Sequence, residues 1–313
     1  MSELISIVVP CYNEQESLPI FYNTIVPILT NMKCSYELIF VDDGSKDDTS
    51  KIIKNLAEKD KNVKYIIFSR NFGKESAMYA GLEGSQGDYV AVMDVDLQDP
   101  PEKLVEMHSL IKNEGYDCVA TRRVTRKGEP KIRSWFARMF YKIINKYTQC
   151  EIVDGARDFR LMKRKMVDAI LKMQEYNRFS KGIFSWVGFK VKWLEYENIE
   201  RVAGETKWNF KKLFVYAIEG FMSFTLAPLY FIIKFGLSLL CLDILAIIIL
   251  IICHFAINSF VYSSTLILIT VFTLLVSLLI ICLGICAMYQ AKIYTECKNR
   301  PIYITSEDNL KKK

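Results

Sequence analysis

The nine cysteines of this 313-residue chain lack the close, paired spacing of a metal-binding cysteine motif. Four of them stand singly in the first half of the chain, and four others lie inside apolar runs. The first group is Cys11, Cys34, Cys118 and Cys150, and the second is Cys241, Cys253, Cys282 and Cys286. Scattered free thiols of this kind are typical of a protein kept in a reducing cytoplasm.

The sequence also lacks a strong excess of either charge, since its net charge is only +6. A net charge of this size does not by itself indicate a protein that binds nucleic acid. Charge is almost absent from residues 235–288. The runs 235–257 and 265–288 each reach the ~20 apolar residues that cross a bilayer. They predict a transmembrane helical hairpin joined by a short loop at 258–264.

The loop at 258–264 contains no lysine or arginine, whereas basic residues lie on both outer sides of the predicted hairpin. These residues are Lys234, Lys292, Lys298, Arg300 and Lys311–Lys313. Because positively charged flanks stay on the cytoplasmic side, both ends of the hairpin are predicted to face the cytoplasm.

Buried strands are predicted for the apolar stretches at 5–10, 36–45, 64–70 and 88–96. Helical patterns separate them at 15–33, 47–60 and 74–84. Strands that alternate with helices predict an α/β protein with a doubly wound, mostly parallel sheet. In such sheets, ligands bind beyond the carboxyl ends of the strands.

Three polar segments follow predicted strands at this edge of the sheet. They read PCYNE, VDDGS and MDVDLQDP. Each alone is ordinary turn composition, but three at one edge predict a binding site. Asp94 and Asp96 are two residues apart in a segment that we expect to be extended. Their side chains would then point the same way, so both carboxylates would face one ligand. Neighbouring carboxylates and oxygen donors favour Mg²⁺ or Mn²⁺.

Two further segments, 132–147 and 209–225, place apolar residues on one helical face beside lysine and arginine. Both are candidates for basic amphipathic helices in a membrane interface. For 132–147, a helix facing the core of the soluble domain is an alternative. For 209–225, the neighbouring apolar runs favour the interfacial interpretation.

Several motifs occur in order along the chain: VVPCYNE, FVDDGSKDDT, RNFGKESAMYAGL, MDVDLQDPP, DFRLM and RVAGETKWNFKKL. In this series the chain resembles the family 2 glycosyltransferases. Within that family it is similar to the polyprenyl-phosphate glycosyltransferases, which include bactoprenol glucosyltransferases and dolichol-phosphate mannose synthase. The resemblance covers nearly the whole chain and implies a GT-A fold and an inverting transfer of a sugar.

The resemblance also implies roles for individual residues. The nucleotide-sugar pocket would be lined by Pro10, Tyr12, Glu14, Val41, Asp42, Asp43, Asp94 and Gln98. Asp94, Asp96 and Gln98 would hold Mg²⁺ or Mn²⁺ with the diphosphate. The acceptor phosphate would contact Arg123, Arg133, Arg201 and Lys207.

Asp158 and Asp96 are the catalytic residues that the resemblance implies. Asp158 matches the carboxylate usually assigned as general base. The second pKa of a phosphomonoester is near ~6, so the acceptor is already a nucleophilic dianion at neutral pH. Asp158 could therefore orient the acceptor or balance charge instead. Arg157 stands where the family pattern often has glycine, which affects the local backbone.

The predicted organisation is a catalytic GT-A domain at 1–208, a juxtamembrane amphipathic helix at 209–234, transmembrane helices within 235–288 and a tail at 289–313. The catalytic domain and the tail are expected at the cytoplasmic face of a bacterial-type plasma membrane. The expected partners are a nucleotide sugar, a polyprenyl phosphate such as undecaprenyl phosphate, and the membrane. The resemblance also implies a homo-oligomer such as a tetramer.

UDP-glucose and UDP-N-acetylglucosamine are the favoured donors, and GDP-mannose is the alternative. A processive polysaccharide synthase would require a QxxRW motif, and a nucleotidyltransferase a GxGxR-like loop; neither motif occurs. The non-enzymatic alternative is a catalytically inactive membrane scaffold, and the intact acidic motifs argue against it.

Overall fold

The structure is a computed structural model that describes residues 3–124, 152–196 and 264–310, together with positions 139, 142, 145, 146, 234, 235, 238 and 245. The chain divides into two compact units. The first combines Met1–Ser223 with Arg300–Lys313, and the second is Phe224–Asn299.

The first unit contains an eight-stranded sheet in the order β7-β5-β6-β4-β1-β2-β3-β8. Its strands are β1 Leu4–Cys11, β2 Ser35–Asp42, β3 Val63–Phe68, β4 Tyr89–Val92, β5 Cys118–Arg123, β6 Ala156–Lys163, β7 Val191–Tyr196 and β8 Thr305–Asp308. The described helices of this unit are α1 Ser17–Asn31, α2 Thr49–Lys59, α3 Lys74–Gly84, α4 Lys103–Glu114, α5 Arg164–Leu171 and α6 Ser180–Trp186.

The alternation predicted from the sequence is confirmed for β1 to β4 and for the three helices between them. The prediction of a mostly parallel sheet needs correction, because the sheet is mixed. β4, β1, β2 and β3 pair in parallel, as do β5 and β7, whereas β6 is antiparallel to both of its neighbours and β8 is antiparallel to β3.

The central strands are apolar because helices cover both faces of the sheet. One core cluster includes Phe21 of α1 against Phe40 of β2, whose ring centroids are 6.2 Å apart. On the other face, α3 packs closely on β1. A Cβ atom at Gly81 would lie 2.1 Å from Cγ1 of Val8, so this approach requires glycine.

The edge strand β8 comes from the C-terminal segment, for which the sequence predicted no strand. The Tyr65 amide donates to Oδ1 of Asn309 at 2.7 Å, and the Tyr303 ring stacks on Phe68 with centroids 4.9 Å apart. Tyr303 also donates to Glu83 at 2.6 Å. The end of the chain is therefore an integral part of the first unit.

In the second unit, helix α7 runs from Ser264 to Cys297, which is 34 residues. Among the described parts of the chain, no helix qualifies as both long and apolar enough to cross a membrane. The predicted span at 235–257, the loop after it and the amphipathic segments at 132–147 and 209–225 lie wholly or almost wholly outside the described residues.

Candidate active site

The polar segments that follow β1, β2 and β4 meet at one edge of the sheet, as the sequence predicted. β1 and β2 are in register through the pair Cys11 and Asp42. Hydrogen bonds from backbone amides to side chains join the segments beyond them. The Asn13 amide donates to Oγ of Ser45 at 2.8 Å, and Oδ1 of Asn13 accepts from the Lys46 amide at 2.8 Å.

Pro10, Tyr12 and Glu14 are partly exposed at this edge. Val41 differs, because its side chain is fully buried in the core cluster between β2 and α3. The nucleotide-binding roles of these residues remain predictions.

The two carboxylates of VDDGS are both buried, and both accept hydrogen bonds from neighbouring segments. Asp42 accepts from the Ser45 amide at 3.0 Å and from the Ser50 hydroxyl. Asp43 accepts from the amides of Phe72 at 2.6 Å and Gly73 at 3.0 Å. Asp43 thus fixes the turn that leads into α3.

Burial raises the pKa of Asp43 to about 6, although the two backbone donors and Arg70 act in the opposite direction. Gly44, next to it, has a φ of +67°, and a Cβ atom there would lie 2.5 Å from the carbonyl carbon of Arg70. The glycine of VDDGS is therefore required for the close approach of the two loops.

Replacing Asp43 by alanine should lower the free energy of unfolding by about 1–3 kcal/mol, because two backbone donors lose their acceptor. Thermal melting would show this as a fall of several degrees. Asp48→Ala is the matched control, because Asp48 is exposed and makes no side-chain capping bond to α2. Equal melting temperatures for the two variants would contradict the assigned role.

The same group gives a pH signature. Because the pKa of Asp43 in the folded state lies above that of an unfolded aspartate, its contribution to stability falls as the pH rises from about 4 to about 6. This component of the pH dependence should be absent from Asp43→Asn.

The DxD pair lies in a turn rather than in an extended strand, which corrects the prediction of a strand over 88–96. β4 ends at Val92, and Leu97 has a positive φ of 54°. Asp96 is 6% exposed and its Oδ1 accepts from the Gln98 amide at 3.2 Å. The shared direction of the two carboxylates cannot therefore be taken from strand alternation.

Lys74, the first residue of α3, joins two of the predicted site residues. Its Nζ lies 2.6 Å from Oδ1 and 2.9 Å from Oδ2 of Asp94, and 2.6 Å from Oδ2 of Asp158. The sheet explains this meeting. Val92 of β4 pairs with Arg160 of the antiparallel β6, so the segments that carry Asp94 and Asp158 run side by side.

Each charge in this cluster favours the ionised form of its neighbours of opposite sign. Partial burial opposes ionisation of Lys74, but the carboxylates of Asp158 and Asp94 outweigh it and raise the pKa of the lysine. Burial likewise acts to raise the pKa of Asp158, and the Lys74 ammonium reverses the effect, so that this pKa lies well below its usual range. Asp158 is therefore a carboxylate and Lys74 an ammonium at neutral pH.

Arg157 supports the acidic loop from the neighbouring position. Its Nε donates to Oδ1 of Asp99 at 3.1 Å, and its Nη2 donates a longer hydrogen bond to Oε1 of Gln98 at 3.5 Å. Tyr196 of β7 donates to the same Asp99 oxygen. The residue that departs from the family pattern thus has a defined partner, a buried carboxylate in the QDPP segment.

Of the four predicted phosphate-binding residues, the structure describes only Arg123. It ends β5, is partly exposed, and its amide donates to the Gly155 carbonyl at 2.9 Å. Arg133, Arg201 and Lys207 lie outside the described residues. The acceptor site remains a prediction.

The family model for glycosyl transferase family 2 matches residues 6–171, which include every described acidic residue of this cluster. The chain belongs to glycosyl transferase family 2. The predicted activity class is therefore confirmed: the protein is a glycosyltransferase, with an α/β GT-A fold built on a mixed sheet.

The relatives of this family 2 glycosyltransferase include proteins whose names describe an activity. The bactoprenol glucosyl transferase of Shigella phage SfII is 39% identical, over 97% of this chain and 98% of the relative. The prophage bactoprenol glucosyl transferase homolog of Escherichia coli (strain K12) is 39% identical, over 96% of this chain and 97% of the relative.

Among solved structures, the glycosyltransferase is similar to glucosyl-3-phosphoglycerate synthase from Mycobacterium tuberculosis, which was crystallised with Mn²⁺, UDP-glucose and phosphoglyceric acid. The identity is 19% and the TM-score 0.46, over 69% of this chain and 76% of the other.

Lys74 is the residue of this family 2 site to which the sequence analysis gave no role. Its motif, RNFGKES, was part of the resemblance, and a lysine at the start of a helix that follows a strand end was the available signal. Its partners lie 20 and 84 residues away in the sequence, so only the sheet order reveals the cluster.

Proposed function

We propose that this chain transfers a sugar, with inversion, from a nucleotide sugar to a polyprenyl phosphate at a membrane surface. The observation that carries the proposal is the Asp94–Lys74–Asp158 cluster at the binding edge of the sheet. The names of these two relatives support the lipid acceptor and favour glucose as the transferred sugar, for which we propose UDP-glucose as the donor. UDP-N-acetylglucosamine and GDP-mannose are the competing donors.

The residues present fit a divalent cation. The ammonium of Lys74 contacts both oxygens of Asp94, so this carboxylate already binds a positive charge with its two oxygens. Asp94, Asp96 and the amide oxygen of Gln98 would hold the ion, and such oxygen donors suit Mg²⁺ or Mn²⁺. The bound ion would neutralise the charge that develops on the leaving diphosphate.

In the reaction, an oxygen of the acceptor phosphate forms a bond to the anomeric carbon while the bond from that carbon to the diphosphate breaks. The nucleoside diphosphate leaves with the bonding electrons. A phosphate dianion needs no proton removed at neutral pH. We propose that Asp158 orients the acceptor and balances positive charge on the sugar, and that Lys74 holds Asp158 in place.

A donor screen tests the function directly. The full-length protein in detergent is incubated with undecaprenyl phosphate, Mg²⁺ and each of the three nucleotide sugars, and the lipid is analysed by mass spectrometry. We expect one hexose to be added from UDP-glucose, with the anomeric configuration inverted in NMR spectra. Hydrolysis of donors without any glycosylated lipid would contradict the acceptor class.

Lys74→Met should lower kcat by about 10–100-fold, the equivalent of losing one or two charge-assisted hydrogen bonds. It should also tighten Mn²⁺ binding by the nucleotide-free protein, because the ammonium no longer competes for Asp94. Electron paramagnetic resonance of free Mn²⁺ measures this affinity. The control is Lys54→Met, which removes a pair with Glu307 between partly exposed side chains. Unchanged kcat and Mn²⁺ affinity in Lys74→Met would exclude this role.

We propose membrane attachment by the hairpin at 235–288 on the strength of the sequence alone. A reporter inserted at 258–264 should appear outside the cell, and reporters at both chain ends should appear inside. The charge asymmetry around the apolar runs is the physical reason. A C-terminal reporter on the outside would contradict the hairpin.

A further inference from the structure

Three side chains with sulfur, nitrogen and oxygen donors converge at the edge of the sheet opposite the active site. Glu3 directly precedes β1, Cys34 directly precedes β2, and His108 lies on α4. Each offers one ligand atom, and these atoms lie within 4.8 Å of one another. Among the described histidine, cysteine, aspartate and glutamate residues, no other three form such a set. We refer to these three residues as the mixed-donor cluster.

The sheet brings the three segments of the mixed-donor cluster together. Leu4 pairs with Ser35 in the parallel ladder, and the Ser35 amide donates to the Glu3 carbonyl at 3.0 Å. This register places Glu3 beside Cys34. On α4, the neighbouring Met107 and Ile111 are buried in the core. The helix is thereby fixed with His108 directed towards the two strand ends.

The contacts made by His108 and Cys34 leave atoms that could bind a metal ion. Nε2 of His108 is buried and lies 3.2 Å from Oε2 of Glu3, yet it has no hydrogen-bond partner within the described structure. Its imidazole packs against the Tyr89 ring in a T-shaped arrangement, with centroids 5.1 Å apart. The thiol of Cys34 donates one hydrogen bond, to the Met32 carbonyl at 3.4 Å. A buried imidazole nitrogen that makes no hydrogen bond is costly unless something binds it.

We propose that Glu3, Cys34 and His108 bind a transition-metal cation of the Zn²⁺ class, with water as the fourth ligand. Thiolate, imidazole and carboxylate are the ligands that Zn²⁺ takes in proteins, at bond lengths of about 2.0–2.3 Å. The mixed donors separate this site from the all-oxygen set at Asp94, which suits Mg²⁺ or Mn²⁺. The two sites lie at opposite ends of the central strands.

Lys112 neutralises the negative charge of Glu3 when no metal is bound. Its ammonium lies 3.0 Å from Oε1 of Glu3 and supplies the positive charge that this carboxylate needs. A bound cation has to compete with Lys112, and removing that ammonium should strengthen metal binding. A purely structural ion pair would show no such gain, so Lys112 provides a decisive variant.

The site would stabilise the first unit by cross-linking the start of the chain, the start of β2 and α4. Binding to the folded state alone raises stability in proportion to the logarithm of the metal concentration. At a metal concentration about a hundred times the Kd, the melting temperature should rise by several degrees.

The test uses Co²⁺ as a spectroscopic probe on the full-length protein, stripped with a chelator and kept reduced. Wild-type protein should develop visible bands of tetrahedral Co²⁺ and a near-ultraviolet thiolate-to-cobalt charge-transfer band. Added Zn²⁺ should displace the Co²⁺, so that both sets of bands disappear. Cys34→Ser should abolish the charge-transfer band. His108→Gln should weaken Co²⁺ binding by about 10–100-fold or more. Lys112→Met should tighten it.

Cys297→Ser is the matched control, because this thiol is exposed at the end of α7, and its spectrum should equal that of the wild type. Absence of the charge-transfer band from wild-type protein would overturn the proposal, as would its persistence in Cys34→Ser. Weaker Co²⁺ binding by Lys112→Met would also overturn it. None of these readouts depends on sugar transfer, so the result is independent of the proposed function.

Discussion

Asp96→Asn should slow sugar transfer by roughly 10³-fold and leave the protein folded. Asp96 is almost completely buried in the turn after β4, and asparagine has nearly the same shape, so packing should survive. The loss of one anionic ligand should cost about 4 kcal/mol of transition-state stabilisation, or roughly 10³-fold in rate. Lipid glycosylation measured at saturating donor gives the rate, and thermal melting monitors the fold.

Removal of the metal should have the same effect in the wild type. EDTA should stop transfer, and Mg²⁺ or Mn²⁺ in excess should restore it. The control variant for Asp96→Asn is Asp168→Asn, which changes an exposed carboxylate on α5 and should retain full activity. Full turnover in EDTA would remove the metal from the mechanism.

Asp158→Asn should lower kcat by about 10²–10⁴-fold if the carboxylate is a general base. The structure favours the lower end of this range. The pKa of Asp158 lies far below neutral because Lys74 reverses the effect of burial, and such a carboxylate is a weak base. Orientation of the acceptor and charge balance are the roles that fit this environment.

The pH profile separates the two roles. If Asp158 positions the acceptor, the rate of Asp158→Asn should follow ionisation of the acceptor phosphate and level off above a pH of roughly 6. If Asp158 is the base, raising the pH should not restore the rate. Saturating lipid keeps lost affinity from imitating lost chemistry. A variant with near wild-type kcat would exclude both roles.

The same linkage predicts how the cluster contributes to stability. The folded-state pKa of Asp158 is depressed, so its pairing with Lys74 stabilises the protein above the pKa of an unfolded aspartate, about 3.9. That contribution is lost as the pH falls below this value.

The sequence predicted the strands and helices that carry periodic or continuous apolar residues. β1, which reads LISIVVPC, and β2, which contains the apolar run LIFV, are examples, and both lie in the centre of the sheet. β8 could not be found in this way, because its sequence TSED is polar and only four residues long. An edge strand has one exposed flank and needs no apolar pattern.

The candidate site was predictable where a motif lies in one stretch of sequence. The DxD turn, the VDDGS turn and Asp158 are of this kind. The contacts between motifs were not predictable, because they depend on strand order. Antiparallel β6 places Asp158 near Asp94, and the α3 turn held by Asp43 places Lys74 between them.

The pairing of β8 with β3 has a consequence for how this protein can be divided. The first unit is discontinuous, since the chain leaves it at Ser223 and re-enters it at Arg300, so two covalent connections join it to Phe224–Asn299. A fragment ending near residue 223 would lose the main-chain partner of β3 and the Tyr303 ring that covers Phe68. Its unpaired edge would be open to association with other chains. A version of the protein that omits residues 224–299 should therefore retain the final fourteen residues.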